Sequence, residues 1–396
     1  MSDSNDLGRR IREIRSWRQL NLRTAADLAG ISYSYLGQLE RGERPVNNRQ
    51  VLEALANALR VSPAELTDAP HVPGKQPDSQ THAALDAVEA ALSEWLPGEI
   101  PDTPGRPWRQ TVSDLDTLTH VLRPKSDYAG QVALLPSLIT DLLHHAHGRH
   151  RDRALEGLMT AYYATGNVSG RLGRRQLSYL AGERVRASAE LLDDREWLGV
   201  ATWVRAQFLS STSRQRQYKL ALDAVDAPGA RLESRGMGHL TAAMSAAARG
   251  DTDTAREHLD DAGKMADRVQ VADSWGLATL NFTRANVGIW RVAIGTELGD
   301  GGKVAEVGRK VKWWSLPLSR QGAFWMDLGR GLMQDRRSRE DGLRAILKAE
   351  ALTPQQVRNN VFVREVVSDQ LRRAQRDAGG RELRGLAWRM GVAPVG

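Results

Sequence analysis

The sequence predicts an all-α chain in which a small helical unit is followed by a long array of helices. Three observations lead there. Five helices are legible between Leu7 and Leu66, and from Thr81 onwards almost every segment repeats its apolar residues with the helical period. No stretch alternates convincingly with period two, as a half-buried strand would. The breaks between periodic segments are short Pro, Gly and Asp runs of the kind that end helices. At 396 residues the chain is long enough for two or three domains and a large core.

Five helices are expected first, over Leu7–Trp17, Leu22–Ala29, Tyr33–Arg41, Asn48–Arg60 and Ser62–Leu66. The third lies in SYSYLGQLERG, where Ser32 can cap the first turn and Gly42 can close the last. Leu36 and Leu39 face a small core, while Tyr33, Ser34, Gly37 and Gln38 fall on the opposite side. The helix before it is capped by Asn21 and carries Ala26 where two helices would cross closely. Gly30 then makes the turn into Ile31 and Ser32. A small residue, a turn glycine, a buried aliphatic and a cap in this order form the helix-turn-helix pattern.

On these residues, positions 7–66 resemble the lambda-repressor-like, Xre-type DNA-binding domain. The resemblance implies that Tyr33, Ser34 and Gln38 face base edges in the major groove. A glutamine there can pair with adenine through two hydrogen bonds. It also implies that Asn21, Arg44, Asn48 and Arg49 hold phosphates, which positions the domain without reading sequence. Arg15 and Glu40 fall where relatives form a partly buried ion pair. Leu22 departs from the pattern, because a glutamine commonly stands there, so target preference cannot be transferred.

The next segment, TDAPHVPGKQPDSQ, reads as a proline-rich linker over 67–80. Connecting helices are expected over 81–149: Thr81–Leu96, Trp108–Arg123 and Ser126–His147, with PGEIPDTPGRP as a break between the first two. Region 150–396 reads as antiparallel helix pairs joined by turns such as RGDT (249–252) and GDGG (299–302). Two stretches resemble the tetratricopeptide pattern. One has Trp325, Leu328, Gly329 and Leu332 on a first helix and Gly342, Ile346 and Ala349 on a second, ended by Pro354. The other has Ala243, Ala246, Ala255, Leu259 and Ala262. Such pairs bury each other's apolar faces when stacked. Together the two regions resemble the peptide-sensing regulators of Gram-positive bacteria. One recognition helix covers only a few base pairs, so a homodimer on operator half-sites is expected, and the resemblance implies a small ligand or signalling peptide in the repeat groove. Trp203, Gln207, Asn281, Arg284, Trp290 and Trp325 are the residues expected to line it, with Trp203/Gln207 and Asn281/Arg284 each sharing a helix face.

Composition narrows the classes. Without cysteine there are no disulfides, thiolate metal sites or thiol nucleophiles. Net charge is +7, but residues 1–66 contribute only +2, so DNA affinity must come from placed arginines. No apolar run approaches a membrane span and no signal peptide is evident, so a cytoplasmic protein without a membrane partner is expected. The run DLLHHAHGRH gathers His144, His145, His147 and His150, with Asp141 one turn before His145. Lacking a second ligand group, it is read as a helix end bonding its own carbonyls rather than a metal site. GTELGDGGKV (295–304) lacks the Ser or Thr and the preceding strand of a phosphate loop, and is read as a helix–helix turn. No catalytic constellation or cofactor motif is found, so no enzyme and no cofactor are expected. The competing reading is an antitoxin-like or scaffold protein whose groove holds another protein. Operator, ligand, regulated genes, sign of regulation and dimer interface are not legible.

Overall fold

A computed structural model describes residues 7–67, 76–209, 213–269, 280–374 and 380–392. The chain is all-α, with no strand among these residues. It opens with α1 (Leu7–Trp17), α2 (Leu22–Leu28), α3 (Tyr33–Glu40), α4 (Arg49–Leu59) and α5 (Pro63–Thr67). Asn21, Ser32 and Asn48 cap α2, α3 and α4, each side-chain oxygen accepting from a backbone N–H three residues on. Ser62 and Glu65 form a reciprocal capping box at α5. Gly30 turns the chain between α2 and α3 at φ +64°, a conformation that a side chain would strain. Ala26 is fully buried at the crossing, beside Ile11, Leu36, Leu39, Leu55 and Leu59.

One pair ties the first helix to the third. Arg15 Nε and Nη2 donate to the two Glu40 carboxylate oxygens at 2.6 and 2.8 Å, and Nη1 donates to the Leu20 carbonyl at 2.8 Å. The side chains are 14% and 6% exposed, so the fork is nearly dry.

The rest of the chain is a continuous helical array. It runs α6 (Gln76–Glu94), α7 (Trp108–Asp116), α8 (Tyr128–His145), α9 (Arg151–Arg171), α10 (Arg175–Leu192) and α11 (Arg195–Phe208). There follow α12 (Arg214–Asp226), α13 (Leu232–Ala248), α14 (Thr252–Ala266), α15 (Arg284–Leu298), α16 (Gly302–Arg309) and α17 (Leu318–Leu332). α18 (Arg339–Leu352), α19 (Pro354–Arg358), α20 (Val361–Ala374) and α21 (Arg381–Arg389) complete it. Helices pack chiefly against their neighbours in sequence, α9 on α10, α13 on α14 and α17 on α18. At the last of these the backbones nearly touch: a Cβ on Gly329 would stand 2.8 Å from the Gly342 carbonyl, and one on Gly342 2.9 Å from the Gly329 carbonyl. Ala243, Ala246, Ala255 and Ala262 give α13 and α14 the same close approach and are fully buried.

The array returns on itself. Ser319 N–H donates to the Pro124 carbonyl at 2.6 Å, Ser126 Oγ donates to Gln356 Oε1 at 2.9 Å, and Tyr128 N–H donates to Gln355 Oε1 at 2.7 Å. The segment before α8 is thereby joined to α17 and α19.

Several expectations need correction. α6 starts at Gln76, so the last five residues of the expected linker are helical; Pro77 suits a first turn, whose N–H would be unpaired anyway. Residues 68–75 lie outside the described residues. The helix from Trp108 does not stay α: Thr117–Leu122 widens into a π-helical turn. The histidine run does not bond its own helix carbonyls. His144, His145 and His147 reach back to the carbonyls of Thr103, Arg106 and Glu99, while His150 stacks on Trp108 at 4.5 Å. With Asp141 accepting from Arg106, they pin the proline-rich break onto α8. GTELGDGGKV is the turn from α15 to α16, with Gly299 left-handed at its centre.

Arg15→Ala should lower the unfolding free energy by about 3 kcal/mol, because Glu40 keeps a buried charge with no counter-ion. A denaturant titration of the full chain reporting on α1–α5 checks this; unchanged stability there would mean that water can replace the guanidinium.

Candidate nucleic-acid interface

α3 shows its polar side to solvent. Tyr33 is 54% exposed, Ser34 is exposed, and Gln38 one turn further is half-buried. Asn21 and Arg44 are exposed to either side, Arg44 with its guanidinium 5.8 Å from the Tyr35 ring. A residue that reasoning from sequence passed over joins this face: Arg23 on α2, whose guanidinium lies 5.9 Å from the Tyr33 ring centre. Its signal was available, an exposed arginine in the first turn of the helix before the recognition helix. Leu22 instead fills space beside Gly37, where the Leu22 side chain would lie 3.5 Å from an added Cβ.

Asn48 and Arg49 are placed differently. Asn48 Oδ1 accepts from Val51 N–H at 2.9 Å, so its amide oxygen is committed to the cap of α4. Arg49 points into the helical array. Its backbone N–H donates to Glu297 Oε2 at 2.7 Å and its guanidinium pairs with Glu297 Oε1. Arg330 Nη2 donates to the same carboxylate at 3.0 Å and to the Asn47 carbonyl at 2.7 Å, while Nη1 donates to Asp327 at 2.9 Å. Asn47 Nδ2 returns a bond to the Arg330 carbonyl at 3.2 Å. Phe362 of α20 covers both arginines, 4.7 Å from Arg330 and 5.3 Å from Arg49, and packs into the core of α1–α5. Glu297 and Arg330 are each 1% exposed. A second contact, Glu53 with Arg214 at 2.7 Å, fastens the next turn of α4 to α12.

The electrostatics of this dock are closed. Burial pushes the Glu297 carboxyl up, but Arg49 and Arg330 together outweigh it and hold the group below the usual glutamate range. The carboxylate also sits at the N-terminus of α4, where unpaired N–H groups and the helix dipole favour an anion.

The residues expected to line a groove are scattered. Trp203 is fully buried in the core, its Nε1 donating to Thr241 Oγ1 at 3.1 Å, so it shows no surface to a ligand. Gln207, one turn along, is half-buried and its Oε1 accepts from Thr241. Asn281 precedes α15 at φ +52°, so it shares no helix face with Arg284; its Oδ1 is buried without a partner. Arg284 is exposed and pairs with Asp267 at 2.6 Å. Trp290 and Trp325 are half-buried, and each leaves its indole N–H buried without an acceptor. Trp325 lies under Lys348 at 3.9 Å and edge-on to Trp313.

Two arginines missed in the sequence stand out at the seam where the array returns on itself. Arg123 and Arg320 flank the Pro124–Ser319 hydrogen bond. Arg123 lies 5.0 Å from the Tyr163 ring and Arg320 5.9 Å from Trp290, with Nε donating to Asn286 Oδ1 at 2.9 Å. Neither has a carboxylate in hydrogen-bonding reach among the described residues. Burial lowers both guanidinium pKa values, that of Arg320 to about 10. No spacing in the sequence brings positions 123 and 320 together.

Residues 6–69 match the family model of a helix-turn-helix domain. No curated protein and no solved structure matches the chain. No helix among the described residues is long and apolar enough to cross a membrane.

The dock makes its own prediction. Glu297→Ala leaves two buried guanidiniums without their carboxylate, a loss of about 3–5 kcal/mol. Amide exchange at Arg49, whose N–H is donated to Glu297, should therefore speed up by roughly two to four orders of magnitude. pH acts in the same direction. Because the folded carboxyl is held below its unfolded pKa, its contribution is complete above the ordinary glutamate range. It fades only as pH falls through the lower, folded value. A loss of Arg49 protection, taken relative to the intrinsic exchange rate, that already sets in on acidification near neutral pH would contradict the pairing.

Proposed function

We propose that this chain is a sequence-specific DNA-binding transcriptional regulator of Xre type whose helical array controls its DNA-reading unit. The observation that carries the first half is the helix-turn-helix match together with the solvent-facing polar side of α3. Tyr33, Ser34 and Gln38 read base edges, and Asn21, Arg44 and Arg23 hold the flanking phosphates. One such helix spans few base pairs, so two copies on half-sites about one DNA turn apart supply affinity and symmetry. This reading leaves the chain no catalytic role.

The dock supports the second half. In the resemblance to Xre-type domains, Arg49 and the N-terminus of α4 meet a phosphate. Here a buried carboxylate holds both. Glu297 and a DNA phosphate therefore compete for the same donors, and the docked arrangement withholds part of the DNA-binding surface. A ligand that favours the undocked arrangement raises DNA affinity by its difference in affinity for the two states. The seam carries the groups such a ligand would need. Two half-buried arginines beside Tyr163 and Trp290 suit an anionic small molecule or a peptide carboxylate, in a tetratricopeptide-like array. The polar groups converging there favour sensing over a scaffold that holds another protein.

Two variants test this. Gln38→Ala should cost about 1–3 kcal/mol on the selected operator and relax preference at one base pair per half-site, with little change on random DNA. Glu297→Gln keeps the shape of the dock but removes its charge, and should strengthen binding to every DNA sequence. Selection from a randomised DNA library, followed by titrations at two salt concentrations, separates the two. Unaltered preference in Q38A would put another face in the groove. Weaker DNA binding by E297Q would show that the dock presents α4 to DNA instead of withholding it.

A further inference from the structure

Among the described residues, His239, His258 and Asp261 bring one ligand atom each within 4.8 Å of the others. They belong to two neighbouring helices. His239 projects from α13, while His258 and Asp261, three apart, share one face of α14. The imidazole Nδ1 atoms of His239 and His258 face each other at 2.9 Å. Tyr218 on α12 places its Oη 3.0 Å from the other nitrogen of His258, Nε2. None of these groups takes part in the DNA-binding face or in the dock.

We propose that His239, His258 and Asp261 form a binding site for a divalent transition-metal ion of the zinc class. The donor chemistry is the argument. Two imidazoles and a carboxylate, with no thiolate anywhere in the chain, suit zinc and its neighbours rather than calcium or magnesium, which take all-oxygen shells. Tyr218 has the role of an outer partner. With Nε2–H of His258 donating to the phenol oxygen, the Nδ1 lone pair points inward. In the absence of metal, the His239 Nδ1–H donates to that lone pair; on binding, that proton is lost to solvent, water returns one to His239 Nε2, and both Nδ1 atoms ligate. The rings release no proton overall.

Geometry and protonation agree with this. At a metal–nitrogen distance of about 2.0–2.1 Å, facing nitrogens 2.9 Å apart subtend roughly 90° at the ion, and a shift of a few tenths of an ångström opens this to tetrahedral. Two Nδ1 atoms facing each other at 2.9 Å share at most one proton, so at least one of them offers a lone pair. Asp261, bonded to Lys264 at 2.8 Å, is ionised and turns its carboxylate from that exposed lysine to the ion. Three protein ligands leave a position for water or for a donor from outside. An ion there ties α13 to α14 and, through Tyr218, to α12. These same helices meet the DNA-reading unit, through Arg214 on Glu53 and Met244 beside Arg49.

The test is metal binding by the full chain, independent of DNA. Zinc titrated calorimetrically should bind one ion per chain, and cobalt(II) should give the intense visible absorption of a four-coordinate site. His258→Ala and Asp261→Asn should each weaken zinc binding at least tenfold. Tyr218→Phe should weaken it by about 10–100-fold while leaving the ligands in place. His147→Ala, in the histidine run bonded to carbonyls, should bind as the parent does. Circular dichroism melts of each variant show whether it is folded, and zinc should raise the melting temperature of the parent but not of H258A. Absence of a one-to-one zinc isotherm in the parent overturns the site. So does an H258A variant that folds and binds as tightly as the parent, which would place the metal elsewhere.

Discussion

Glu297 is the point on which the arrangement of the two halves depends. A carboxylate 1% exposed is costly to bury, and only a full set of donors makes it stable. The donors come from both halves of the chain: the N–H and guanidinium of Arg49 from the DNA-reading unit, and Arg330 from α17. Arg330 is equally buried and spends its remaining donors on Asp327 and the Asn47 carbonyl. Neither half can satisfy this network alone. Separation would expose Glu297 and both arginines to water, which hydrates charged groups well, so the dock is held by complementarity. Phe362 adds an apolar term of the opposite kind, since it is drawn out of the core of α1–α5 when the halves part.

The local chemistry of the DNA-reading unit was legible because its signals are short-range. Caps, a turn glycine and a small residue at a crossing each constrain a few neighbouring residues, and Asn21, Ser32, Asn48, Ala26 and Gly30 occupy those roles in the structure. The helix pairs of the array were legible for a similar reason, since Gly329 and Gly342 mark a close approach within one hairpin. What failed was anything that depends on distant parts of the chain. The docked position of Arg49 was not legible because its carboxylate partner lies 248 positions away. Trp203 looked like a groove residue because helical spacing does not say which face the neighbours cover, and α13 covers it. Asn281 was misplaced by a boundary, the helix beginning three residues later.

The same limit explains the seam and the histidine pair. Arg123 and Arg320 become neighbours only when the array returns on itself, and His239 meets His258 only because α13 and α14 form a hairpin at their particular offset. The conspicuous histidine run was the weaker metal candidate. Adjacent histidines on a helix end point in different directions, and here each finds a separate carbonyl. Two histidines 19 positions apart, on facing helices, converge.

These placements bear on how a signal could cross the molecule. Coupling needs an element with two discrete arrangements that both sites bias. In the proposed control the dock is that element, with Glu297 either bonded to α4 or hydrated. The seam would bias it through α15 and α17, because Trp290 and Glu297 lie two turns apart on α15, and Arg320 and Arg330 lie on α17. The histidine pair lies on another route, through α12 and α13, which place Arg214 on Glu53 of α4 and Met244 beside Arg49. Under the proposed readings, an anion at the seam would neutralise Arg320 and pull on the helix that carries Arg330. An ion between α13 and α14 would stiffen the opposite wall of the same dock. The two proposed inputs would then act on one carboxylate from different helices, and their effects on the N-terminus of α4 would not be independent.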